Sequence, residues 1–235
     1  MSDGDDGRSG SGVWSRVRRM LDRRKAARLL QGIDASEDAV RPSKAFRRVL
    51  ELTAPLPSPV LVDLGPVTGS NVSFLGERLA CKLHLEDLYS DVDRIVRLVR
   101  PGATQDVRAM LANALAYEAD SVDAVLAWDV FDYLTPEEAP TLAGRIARVL
   151  RPGGLVMAFF TTVHFDRAVY RKYIIEDPGH LRHRWLPYAR PPQRVRLGRD
   201  VERLFAPLEV AGSYLLTHHQ RETLLRRPSG ARKAM

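Results

Sequence analysis

Between residues 60 and 160 short unbroken apolar runs alternate with segments whose apolar residues return every three or four positions, and this alternation restricts the fold more than any other feature of the chain. The run at 60–64 is short and continuous, as in a buried parallel strand, Leu83 and Leu85 mark a second strand, and 122–128 and 155–160 read as two more. Val72, Leu75 and Leu79 share one helical face, and Ile95, Val96, Leu98 and Val99 sit in a second helix. Thr135-Pro136-Glu137-Glu138 starts a third, which runs to about Leu150. Pro152-Gly153-Gly154 then breaks the chain before the next strand. Strands that alternate with helices in this way form a parallel sheet covered on both faces, an α/β fold.

The flanks differ. Residues 1–12 are Gly, Ser and Asp with almost nothing to bury and read as a disordered tail. Residues 13–54 read as a helical region. Trp14, Val17, Met20 and Leu21 make a basic amphipathic helix among arginines, and a short helix at 43–52 ends at Pro55, Pro57 and Pro59. The main domain is expected over 55–227, and 228–235 form a basic tail. Within the domain, 161–199 is rich in proline and arginine and reads as a substrate-side insertion or lid rather than sheet, with 166–175 helical. A short helix at 200–205 and two antiparallel strands at 208–216 and 222–225 close the domain.

With 235 residues the chain can bury a full core without cross-links. A lone cysteine, Cys81, allows no internal disulfide and no cysteine metal cluster, and no metal site is expected. No apolar run approaches the length of a membrane span, so a cytoplasmic protein is expected. The net charge of +7 sits on the two flanks, whereas residues 51–138 are net acidic. That centre disfavours a polyphosphate ligand and tolerates one with a cationic centre.

The most informative segment is Val60-Leu61-Val62-Asp63-Leu64-Gly65-Pro66-Val67-Thr68-Gly69-Ser70-Asn71, a strand running into a tight turn and a helix. In an open parallel sheet the first such turn usually holds the ligand. A dinucleotide fingerprint would need glycines at 65, 67 and 70, and only Gly65 matches. The segment resembles motif I of class I S-adenosylmethionine-dependent methyltransferases, of the type 11 kind, through Asp63, Gly65 and Gly69. Glu86 closes the second strand 23 residues after Asp63, where that family places a carboxylate for the ribose hydroxyls. The resemblance continues through Ser121 to Leu134 and through Leu150-Arg151-Pro152-Gly153-Gly154, and covers roughly residues 43–227.

The resemblance implies a Rossmann-like, seven-stranded, mostly parallel sheet with its last strand antiparallel. It also implies S-adenosylmethionine as cofactor, with Asp63, Gly65, Pro66, Thr68, Gly69, Asn71, Glu86, Asp87, Asn113 and Asp129 around it. Val67 departs from the family's central glycine, and Leu111 falls where an adenine-binding acid would align, which leaves Asn113 as the nearest polar group. Methyl transfer needs little beyond in-line positioning, so a base is optional. His164 and Asp166, just after the strand at 155–160, are the candidates for an oxygen or nitrogen acceptor.

Plainer roles stay open for these residues. Asp63 can satisfy turn amides, Glu86 and Asp87 belong to an acidic surface run, and Thr68, Ser70 and Asn71 can cap a helix. The expected function is methyl transfer to an unidentified acceptor. The arginines of 161–199 favour an anionic one and leave nucleic acid open, without a recognised motif for it. The alternative is a non-catalytic methyltransferase-like binding or scaffold protein, in which Val67 closes the cofactor pocket.

Overall fold

A computed structural model describes residues 39–98, 103–164, 167–188, 192–217 and 219–229. The N-terminal tail, the basic amphipathic helix and Asp166 lie outside these residues.

In the three central strands, alternate side chains divide cleanly between two cores. Strands β2 (Val60–Asp63), β4 (Val122–Trp128) and β5 (Leu150–Thr161) send Val62, Val125, Ala127, Val156, Ala158 and Phe160 to one face. They send Leu61, Ala124, Leu126, Trp128, Met157 and Phe159 to the other. This period of two is why the strands read as continuous apolar runs: both faces are buried. The main sheet runs β3-β2-β4-β5-β9-β8, with β3 at Lys82–Leu85, β8 at Glu209–Leu216 and β9 at Gln220–Arg226. Strand β2 is parallel to β3 and β4, β4 is parallel to β5, and β9 is antiparallel to both of its neighbours.

Helices α3 (Leu88–Leu98), α4 (Ala103–Asn113), α5 (Ala139–Val149) and α6 (Gly198–Leu204) contribute to the first core. The second core is closed by α1 (Lys44–Thr53), by α2 (Gly69–Leu79) and by a separate three-stranded sheet. That sheet has the order β1-β7-β6, from Val40–Pro42, His180–Pro187 and Val169–Asp177. The proline-glycine break before the last parallel strand is realised as a bulge within β5. There Gly153 adopts φ +84, a region that only glycine enters freely. The capping box before α5 forms as a reciprocal pair. Glu138 N–H donates to Thr135 Oγ1 at 3.3 Å, and Thr135 N–H donates to Glu138 Oε2 at 2.8 Å.

Two expectations are corrected. Among the described residues the main sheet has six strands rather than seven, because 103–113 is helical. Its buried Val107 and Leu111 are four apart and no β-branched run is present. Residues 169–175, part of the segment 166–175 expected to be helical, lie in β6, and the insertion, expected not to be sheet, is largely sheet. Val169, Tyr173 and Ile175 are buried on one face, and Asp177-Pro178-Gly179-His180 turns the chain into β7.

Helix α1 is tied to both sheets at its N-terminus. Ser43 caps it, accepting from Phe46 N–H at 3.2 Å, and its hydroxyl donates to Glu222 of β9. Ser43 N–H donates to the Gly179 carbonyl at the hairpin tip at 2.8 Å. Replacing Ser43 by Ala removes a cap and a donor to a fully buried carboxylate. Urea denaturation should show a loss of about 1–2 kcal/mol; a change under 0.3 kcal/mol, set against that same scale, would refute the role.

Candidate active site

The chain leaves β2, forms β3 on one side of it, and crosses to β4 on the other. The strand order therefore reverses beside β2, and the cleft beyond its carboxyl end is where such sheets bind ligands. Asp63 and Glu86 sit together there: Glu86 N–H donates to the Asp63 carbonyl at 2.8 Å, as the continuation of the parallel ladder.

Asp63 is 4% exposed. Its Oδ1 accepts the Gly65 backbone N–H at 2.8 Å, which folds the turn, and the indole N–H of Trp128 at 2.6 Å. Burial pushes its carboxyl up to about 6, against the indole and the turn amide, which favour the charged form. Glu86 is half-buried and accepts the phenol O–H of Tyr117. Asp129, fully buried, accepts the Tyr89 hydroxyl at 2.5 Å. Burial pushes it also to about 6, while the charge of Arg171 pulls the other way.

Trp128 ends β4 with φ +50, a left-handed conformation uncommon for a bulky residue, at a point where the β4–β5 register shifts. Such a residue costs on the order of 1–3 kcal/mol and persists only where its surroundings hold it. Here its indole stacks on Tyr173 of β6, with centroids 5.2 Å apart and planes at 11°, and Tyr173 stacks in turn on Phe159 at 4.8 Å and 1°. A Cβ at Gly65 would stand 2.6 Å from Trp128 Cδ1 and 2.7 Å from Nε1, so glycine is needed at 65 for the close approach of the indole.

The remaining expected site residues fall into three groups. At the turn, Thr68 donates its hydroxyl to the Pro66 carbonyl at 3.1 Å, and Gly69, opening α2, has open space where a side chain would be. Asp87 caps α3, accepting from Ser90 N–H at 3.0 Å. Two residues spend their side chains elsewhere. Asn71 donates to the Tyr173 carbonyl at 3.0 Å and accepts from Ile175 N–H at 2.9 Å, clamping β6. Asn113 is exposed and donates to the Ala109 carbonyl within its own helix at 2.9 Å. His164 is exposed beyond β5.

Val67, the expected obstruction, is 52% exposed, and the side chain over the turn is Trp128. Sequence reasoning missed Trp128, Tyr117 and Tyr89 as donors to the three acids. The available signal was the N–H or O–H that a buried tryptophan or tyrosine must satisfy.

The carboxylates suit a ligand that brings paired hydroxyls and a cationic group, but the space over Gly65 is taken by the indole. A cavity of about 680 Å³ lies at the other end of α2, between Arg47, Arg78 and Asp177. Among the described residues no group of three or more His, Cys, Asp and Glu is placed to hold a metal ion, and no helix is long and apolar enough to cross a membrane.

Asp63 loses its proton near 3.8 when unfolded and near 6 when folded. Between those values the folded protein keeps a proton that the unfolded chain has released, so stability is full below about 3.8 and falls as the pH rises through 6. The shift corresponds to about 3 kcal/mol. Asp63→Asn keeps an oxygen for both N–H donors and removes the titration. From pH 4 to 7 its unfolding free energy should fall by about 2–3 kcal/mol less than that of the wild type. Parallel urea-denaturation curves for the two proteins would contradict this.

Residues 62–158 match the model of a methyltransferase domain. The 1,6-didemethyltoxoflavin-N1-methyltransferase of Burkholderia thailandensis, solved with 1,6-didemethyltoxoflavin and S-adenosylhomocysteine, is 15% identical. It aligns over 96% of this chain and 93% of its own, with a TM-score of 0.50. The PH0226 protein of Pyrococcus horikoshii OT3 is 17% identical over 78% of this chain and 88% of its own, with a TM-score of 0.47. No curated protein matches the sequence. At 15% identity the first likeness is one of fold, and it agrees with the order of the motifs along the chain. Residues 62–158, less than half of the chain, are thus similar to a methyltransferase domain, and the chain shares the fold of the first of these solved structures.

Proposed function

We propose that the protein transfers a methyl group from S-adenosylmethionine to an acceptor bound under the β6–β7 hairpin. The observation that carries this reading is the pair Asp63 and Glu86, closing two hydrogen-bonded parallel strands at the switch point of the sheet. Glu86 would accept the ribose hydroxyls, and its carboxylate suits two adjacent donors. Asp63 and the Gly65 to Gly69 turn would hold the methionine part, whose ammonium replaces the indole N–H as donor. Asp87 and Asp129 follow the ends of β3 and β4 and would complete the same site.

When bound, the cofactor supplies an electrophilic methyl group, so the chain's task is to position and to exclude water. The hairpin and neighbouring segments do the second. Tyr170 lies 4.9 Å from Tyr89 and 5.3 Å from Tyr188, centroid to centroid, and Tyr89 donates to buried Asp129. His164, exposed at the carboxyl end of β5, would serve as a base from the rim, with Asp166 beside it in sequence. Arg171 of the hairpin, whose charge acts on buried Asp129, would give the acceptor side a positive potential and favour an anionic acceptor.

A second reading, a non-catalytic binding protein on the same fold, is favoured by one observation: Asp63 and Glu86 already have internal donors. Titration calorimetry separates the two. Methyl transfer requires micromolar binding of S-adenosylmethionine that weakens at least tenfold in Glu86→Ala. Absence of binding at millimolar ligand would leave the scaffold.

A further inference from the structure

We propose that Trp128 is a gate built into the cofactor site: its indole occupies the place of the ligand on the Gly65 turn and must leave Asp63 before S-adenosylmethionine enters. The inference rests on the methyltransferase reading above and adds to it a closed state.

The indole fills the space. Its Cδ1 and Nε1 edge lies against Gly65 so closely that even a methyl group there would collide. It also supplies the chemistry. The indole N–H donates to the same buried oxygen, Asp63 Oδ1, that holds the turn in shape, as the ligand's ammonium would. Tyr117 does the same at the second acid, with its hydroxyl on Glu86 where ribose hydroxyls would go. In the closed state both acids therefore have donors from the chain itself.

The gate is held rather than relaxed. Trp128 sits at φ +50 and is kept there by the stack on Tyr173, and β6, which carries Tyr173, is pinned by both ends of the Asn71 amide. Swinging the indole away uncovers a face of Tyr173, so opening the cofactor site and freeing that ring are one movement. Binding then selects an open minor state, and the apparent affinity is the intrinsic one reduced by the open fraction.

The test uses the full chain with Trp14→Phe and Trp185→Phe, which leaves Trp128 as its one tryptophan reporter. On titration with S-adenosylhomocysteine its emission should move to the red and become accessible to acrylamide. The observed binding rate should level off at high ligand, because opening precedes binding. Calorimetry on the otherwise native chain should show Trp128→Leu binding S-adenosylhomocysteine at least tenfold tighter than the parent. Trp128→Phe keeps an aromatic ring on Tyr173 but has no N–H; it guards against a misfolded leucine variant and should also bind more tightly.

If the parent binds and the emission and quenching of Trp128 stay unchanged, the gate is overturned while the methyltransferase reading stands. Unaltered affinity in both variants likewise overturns it. If parent and variants all fail to bind at millimolar ligand, gate and cofactor site fall together.

Discussion

A carboxylate withdrawn from water has to be given donors, and burying Asp63 at the end of β2 imposes that demand at the centre of the molecule. One donor is the next turn's own amide, which fixes how the chain leaves β2. The other comes from the end of β4, and to deliver it Trp128 takes a left-handed backbone and carries its indole over Gly65. The indole then needs a surface of its own and finds it on Tyr173, which lies on Phe159 of β5. One acid thus connects the turn, two parallel strands and the hairpin that roofs them.

The hairpin belongs to the core as much as to the rim. Strand β6 ends its sheet, and an edge strand leaves backbone groups unpaired. Asn71 supplies what a neighbouring strand would, accepting Ile175 N–H and donating to the Tyr173 carbonyl. On the other side β7 pairs with β1, and the hairpin tip bonds Ser43 at the start of α1. The hairpin is therefore fixed at both edges and at its tip.

Much of this was legible. Continuous apolar strands, the turn glycines and the Thr135–Glu138 cap follow from local rules, whereas the pairing of Asp63 with Glu86 followed from the family resemblance. Two failures were failures of weighting. The family pattern called for seven strands, but the spacing of Val107 and Leu111 is helical and offers no further strand. Tyr170 and Tyr173, three apart, suggested a helix, whereas the Pro178-Gly179 turn between two similar runs signals a hairpin. A third class was out of reach. The direction of the Trp128 indole depends on one backbone angle that composition does not encode, and the Asn71 clamp joins residues about a hundred positions apart.

The same contacts that let the chain fold around a buried acid also decide how readily the acid can be given up to a ligand. A hydrogen bond to a charged group is worth about 1.5–3 kcal/mol, and a left-handed tryptophan costs on the order of 1–3 kcal/mol. The donor that satisfies Asp63 and the strain that delivers it are thus of similar size. A cleft held shut by so small a difference favours neither state strongly through this contact alone. The stack on Tyr173 then sets the balance, and a ligand that brings its own cation to Asp63 needs only a modest advantage over the indole to reverse it.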